Sequence, residues 1–135
     1  MKVRDNNMCF ACGKDNPIGL KLNFELVEDN IVEAVFSPDK THQGYGGIMH
    51  GGLVTTLLDE SMAKVLELSK IAAVTGEINV KFKKAVEIDQ ELKIKGIIND
   101  NYKNKLYYTE AYLYGEDEEL LATAEAKFMK VNLEE

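Results

Sequence analysis

A single amphipathic helix is set in an otherwise strand-rich chain. Leu53, Val54, Leu57, Leu58, Met62, Val65 and Leu66 recur at three- and four-residue steps, which predicts a helix of about five turns over 51–69. Elsewhere apolar residues alternate with a period of two and predict strands. Two precede the helix, at 21–27 (Leu20, Leu22, Phe24 and Leu26 on one side) and 31–36. Four follow it, at 74–84, 91–98, 105–114 and 120–130. Asn16-Pro17-Ile18-Gly19, Glu28-Asp29-Asn30, Asn99-Asp100-Asn101 and Gly115-Glu116-Asp117 read as turns. One helix covers only one face of a sheet. The predicted class is therefore α+β: an antiparallel sheet of five to six strands wrapped around one long central helix. The outer face and the end strands then need solvent or a second subunit, by edge pairing or face packing. Tyr107, Tyr108, Tyr112 and Tyr114 put aromatic area on both faces.

The sequence has no repeat, low-complexity tract or flexible linker, so one domain is expected over 1–135, opening with a turn-rich segment at 1–19. A net charge of -7 argues against nucleic acid as a partner. No run approaches the ~20 apolar residues of a membrane span. Residues 1–7 are polar and lack the core of a secretory signal, so a cytoplasmic protein is expected.

Cys9-Phe10-Ala11-Cys12-Gly13 admits three readings: a structural turn, half of a metal site, or a redox pair. Zinc takes four protein ligands, or three plus water. No second cysteine pair exists, and His42 and His50 are the only histidines. The structural turn is adopted, and no metal or cofactor is expected. A metal shared between subunits is the main alternative.

The chemically informative stretch runs from His42 to Glu60. Loop 37–49 holds Pro38 and three glycines, and long loops inside compact domains are usually functional. Gly51 and Gly52 begin the helix, where unpaired N–H groups and the helix dipole favour an oxyanion. A carbonyl can be polarised there. The alternative is that the two glycines only permit close packing. Asp59 and Glu60 fall at opposite borders of the apolar stripe, and periodicity does not choose between them.

Met49-His50-Gly51-Gly52 with Leu57-Leu58-Asp59-Glu60 resembles the signature of the hotdog-fold thioesterase superfamily, PaaI-like branch. Three further blocks resemble it in the same order: Cys9–Gly13 with Asn16–Leu20, His42–Tyr45, and Thr75–Phe82. The resemblance implies a hotdog fold and acyl-CoA thioester hydrolysis. It implies Asp59 as general base or nucleophile, the Gly51 N–H as carbonyl polariser, His50 as a group shaping the helix start, and Thr75 as a holder of the attacking water. Glu60 matches an acidic position of the branch. Some relatives carry an Asn where this chain has Gly44, and Gln43 beside it could supply the amide. Gly52, Gln43, Tyr45, Met49, Glu60, Lys83 and Lys84 are the expected substrate-binding residues. Lys81, Lys103 and Lys105 are further candidates for CoA phosphates, although each lysine also suits a solvated face.

Gly51 and Asp59 are eight residues apart on one helix, roughly 12 Å at 1.5 Å per residue. One thioester carbon needs a donor and a carboxylate both within about 3 Å. Two antiparallel helices from paired subunits meet that demand. A homodimer with shared sites is therefore expected, and a dimer of dimers fits the branch. Two other functions remain open: a non-catalytic acyl-CoA-binding sensor and an enoyl-CoA hydratase of the same fold.

Overall fold

The structure is a computed structural model that describes residues 2, 3 and 6–133. The elements are β1 (Lys2–Val3), β2 (Glu25–Glu28), β3 (Ile31–Phe36), α1 (Gly51–Leu68), β4 (Ala73–Phe82), β5 (Leu92–Tyr102), β6 (Leu106–Tyr114), β7 (Leu120–Lys130) and β8 (Asn132–Leu133). Six strands form an antiparallel sheet in the order β2-β3-β5-β6-β7-β4, and β1 pairs with β8 in parallel. One helix against a six-stranded sheet matches the architecture expected from the periodicities. Among the described residues, no helix is long and apolar enough to cross a membrane.

Alternation sorts the sheet into two faces. Val32, Leu92, Ile94, Ala111, Leu113, Ala122, Ala126 and Phe128 face inward and are buried. The helix answers with Val54, Leu57, Leu58, Met62, Val65 and Leu66. Cross-strand registers such as Ala111↔Ala124 and Thr109↔Ala126 place small residues beneath the helix. The outward partners are polar or aromatic: Tyr108↔Lys127, Glu110↔Glu125 and Tyr112↔Thr123. Tyr107 lies inside while Tyr108, Tyr112 and Tyr114 lie on the other face, as the alternation requires.

Helix and sheet come into close backbone contact at Gly96 of β5. A Cβ there would stand 2.3 Å from the Ser61 carbonyl oxygen, so only glycine lets α1 settle at this depth. Ser61 is fully buried and donates its hydroxyl to the Leu58 carbonyl at 2.7 Å. At its C-terminus the helix closes in a Schellman arrangement: Lys70 N–H to Glu67 O and Ile71 N–H to Leu66 O, with Lys70 at φ 66°.

Two expectations need correction. The strand expected at 21–27 starts at Glu25, because Lys21 has φ 54° and cannot continue a strand. Leu20 and Leu22 instead bond the carbonyls of Phe10 and Ala11, while the apolar alternation still buries Leu20, Leu22 and Phe24. The turn expected at Asn99-Asp100-Asn101 lies within β5, which absorbs it as a bulge between Ile98 and Asp100. The chain reverses over the three residues 103–105, between the paired Tyr102 and Leu106, with Lys103 and Asn104 both left-handed at φ 53° and 54°.

Gly96→Ala is expected to cost about 3 kcal/mol of unfolding free energy, near the upper end for overpacking. Gly46→Ala, where an added Cβ meets nothing within 4 Å, should stay within about 0.5 kcal/mol. Urea unfolding of both variants checks the contrast.

Candidate functional site

The site begins at the first turn of α1. His50 is the N-cap (φ -59°, ψ 132°), and its Nδ1 accepts the Gly52 N–H at 2.9 Å. The neutral ring therefore carries its proton on Nε2. The His50 carbonyl accepts the N–H groups of Leu53 and Val54 at 2.9 and 3.1 Å. Of the donors opening the helix, the Gly51 N–H is left without an acceptor among the described residues. The two glycines differ. A Cβ on Gly52 would crowd the His50 ring at 3.1 Å, whereas one on Gly51 would meet the Phe82 ring at an ordinary 3.6 Å. His50 itself is anchored by its N–H to the His42 carbonyl at 2.9 Å. His42 is locked in turn by a reciprocal cap with Asp39.

Gln43 closes the glycine-rich loop: its Oε1 accepts the Gly47 N–H at 2.9 Å, beside the Gly44 N–H to Ile48 O bond. Gly47 has φ +84°, which glycine alone adopts freely. Tyr45 stands at the tip, 88% exposed, while Met49 is buried and its N–H bonds Val86 O at 2.7 Å. Loop, helix start and the end of β4 enclose a cleft of about 680 Å³. Six expected site residues line it: Tyr45, Met49, His50, Gly51, Lys83 and Lys84. Lys84 pairs with Glu119 at 2.5 Å, whereas Lys83 makes no ion pair among the described residues. Ile48, Val54, Phe82 and Val86 complete the apolar wall and were missed by sequence reasoning. Phe82 was legible in principle, because it continues the Ile78, Val80 alternation to the end of its strand.

Asp59 and Thr75 lie outside this cleft and form a second centre. The Thr75 hydroxyl donates to Asp59 Oδ1 at 2.8 Å. Burial pushes the Asp59 carboxyl above its ordinary pKa, and the Thr75 bond partly offsets that rise by stabilising the anion. Gly52 and Gln43 also lie off the cleft wall, each engaged in shaping its rim. Glu60 faces the opposite border of the helix, against Cys12. Burial raises its pKa, while the contact with Cys12 and the charge of Lys64 lower it. Among the described residues, the one grouping of metal-type ligands is Cys9, Cys12 and Glu60.

The sequence model of the Thioesterase superfamily matches residues 46–122. The human acyl-coenzyme A thioesterase THEM5 is 24% identical over 102 residues, covering 75% of this chain and 41% of that protein. The chain thus spans about two-fifths of that relative's length. Zebrafish thioesterase superfamily member 2 superposes with a TM-score of 0.74 at 17% identity, over 94% of this chain and 92% of that one. A hypothetical thioesterase from Streptococcus pneumoniae TIGR4, solved with coenzyme A, gives 0.76 at 20% identity, over 82% and 86%. The E. coli PaaI protein of the phenylacetic acid degradation operon gives 0.76 at 14% identity, over 82% and 83%. At these identities the structural likenesses establish a shared fold. The family match itself runs through the end of the glycine-rich loop, the whole helix and most of the sheet that follows, more than half of the sequence, and the chain therefore belongs to the thioesterase superfamily, with a hotdog fold.

Proposed function

We propose that the protein is an acyl-CoA thioesterase, working as a cytoplasmic homodimer whose two sites each draw on both subunits. One observation carries this reading. Strand β4 runs beside α1 in the opposite sense, with Phe82 against Gly51 at one end and Thr75 bonded to Asp59 at the other. The carbonyl-polarising donor and the carboxylate therefore sit at opposite ends of β4, about 12 Å apart along one helix. Strand β4 is also an edge of the sheet, ten residues long and largely exposed, with β7 its one neighbour in that sheet. A long unpaired edge is a template for another strand. Antiparallel pairing of β4 with its copy, about a twofold axis near Ile78 and Asn79, carries the Gly51 end of one protomer to the Asp59 end of the other. The tyrosine-bearing outer face remains free for a dimer of dimers.

In such a site the thioester oxygen accepts the Gly51 N–H, beside His50. Asp59 of the partner subunit works on the carbonyl carbon. It takes a proton from an attacking water, or attacks directly to give an anhydride that water then opens. The C–S bond breaks, coenzyme A leaves as the thiolate, and the free acid follows. Thr75 holds one carboxylate oxygen and leaves the other for chemistry. The apolar wall of the cleft suits an acyl or aryl chain, and Lys83 is the cation best placed for CoA phosphate.

Thiol release from short-chain, medium-chain and aryl acyl-CoAs is the direct test. Asp59→Asn should lower kcat by roughly 10²–10⁴-fold. Undiminished release would remove Asp59 from its role. No release by the wild type would favour a sensor, and water addition to an enoyl-CoA without thiol release would favour a hydratase.

Sharing between subunits has its own test. Proline is well tolerated at the first helical position and after a residue with the dihedrals of His50, so Gly51→Pro deletes the N–H while keeping the helix. Each single variant should be inactive. Mixed one to one after subunit exchange, Gly51→Pro and Asp59→Asn should recover about a quarter of wild-type activity, because half the dimers carry one intact site. No recovery would place each site within one chain.

Stability should move the other way. The folded-state pKa of Asp59 lies above its unfolded value, so the group favours folding below its unfolded pKa and loses that contribution as pH rises through the folded value. Asp59→Asn removes the buried charge and keeps an acceptor for Thr75. Its Tm should exceed that of wild type at pH 7, and the difference should shrink as pH falls through the raised folded-state value toward the unfolded value of about 4, below which it stays constant. A lower Tm at pH 7 would contradict the burial argument.

A further inference from the structure

Cys9, Cys12 and Glu60 bring two sulfur atoms and one carboxylate oxygen within 4.8 Å of one another. The cysteines come from the N-terminal segment and the glutamate from α1, so the cluster joins two parts of the chain that the acyl-CoA reading leaves unconnected. We propose that this cluster is a three-ligand site for a thiophilic divalent cation, zinc by preference, with water as fourth ligand.

The geometry is suited to it. Tetrahedral zinc with Zn–S near ~2.3 Å and Zn–O near ~2.1 Å sets S···S at about 3.8 Å and S···O at about 3.6 Å. The three atoms need close by only about an ångström, within the reach of side-chain torsions. The two-residue gap between the cysteines is a zinc-ligand spacing. Their turn is already formed: Gly13 N–H bonds Cys9 O at 2.8 Å, and Asp15 N–H bonds Asn7 O at 3.0 Å. Gly13 is obligatory there, because a Cβ would stand 2.4 Å from the Cys9 nitrogen. The Asn6 Nδ2 closes the rim by donating to Cys12 Sγ at 3.8 Å and to Glu67 Oε1 at 3.3 Å.

The electrostatics agree. Glu60 is half-buried against thiols, and S–H groups are weak donors that offset a desolvated carboxylate poorly. A divalent cation satisfies that carboxylate. Each thiol gives up its proton, two Zn–S bonds and one Zn–O bond form, and the resulting centre carries one net negative charge. Lys64 stands beside it, paired with Glu67 at 2.9 Å, and balances that charge. Asp59, next to Glu60 in sequence, adds a like charge that a cation would also relieve. The site is a staple of segment 6–19 onto α1 and is separate from the cleft chemistry.

Cobalt(II) titration of the reduced full chain, with both thiols verified free, tests the assignment without reference to acyl-CoA turnover. The expected result is saturation at roughly one equivalent, with thiolate-to-cobalt charge-transfer absorption and d–d bands of tetrahedral intensity. Zinc should displace the cobalt, releasing about two protons per chain when added to the metal-free protein, and should raise Tm by about 5 °C or more. Cys12→Ser should abolish the charge-transfer band, and Glu60→Gln should weaken binding at least about tenfold. No charge-transfer band from reduced wild type would overturn the proposal. So would an undiminished band in Cys12→Ser, or unchanged affinity in Glu60→Gln. Ready formation of a Cys9–Cys12 disulfide in a chain that binds no cobalt when reduced would assign the pair to redox chemistry instead.

Discussion

The Ser61 carbonyl occupies the space a side chain at position 96 would need, and much of the molecule follows from that contact. It sets how deeply α1 sits in the sheet. At that depth the apolar stripe of the helix shares one buried core with Ile94, Ala111 and Phe128, and its two borders fall over different neighbours. One border presents Asp59 to Thr75 on β4, and the other presents Glu60 to the N-terminal segment. Adjacent carboxylates on one helix thus enter different chemical environments, although both are driven toward the neutral form by burial.

The helix start obeys a different logic. Nothing apolar selects Gly51, and an added methyl there would only touch the Phe82 ring. Its significance lies in the backbone. His50 takes the Gly52 N–H and accepts twice more through its carbonyl, so the donors of the first turn are spoken for except one. The proposed polarising group is therefore a main-chain atom whose position is set by a histidine that is itself held by His42 and Asp39. A relay of short local bonds, rather than core packing, aims it.

Much of this was legible in the sequence because it rests on periodicity. The 3.6-residue spacing from Leu53 to Leu66 and the two-residue alternation of β6 are direct images of burial. The arithmetic of helical rise likewise separated Gly51 from Asp59 before any fold was drawn. Three things were less visible. Lys21, Lys103 and Asn104 adopt left-handed backbone without being glycine, so the start of β2 and the true hairpin turn carried no composition signal. The apolar wall of the cleft, Val54 and Val86 among it, comes from segments remote in sequence. The partner of the cysteine pair sits on the helix 48 residues after Cys12, a join that spacing rules for a lone pair cannot express.

The loop that roofs the cleft is braced by its own members: Gln43 holds Gly47, and Gly44 holds Ile48. Its exposed tip, Tyr45, joins that bracing only through its carbonyl, which accepts the Ile48 N–H at 3.0 Å, while the side chain stands in the open. Shape at the mouth is thereby uncoupled from the folding of the roof. Exchanging that one aromatic for other side chains would redraw the profile offered to an incoming acyl group while the rest of the scaffold stands still, which makes it a natural place for divergence of selectivity within a lineage and a low-risk handle for redesign.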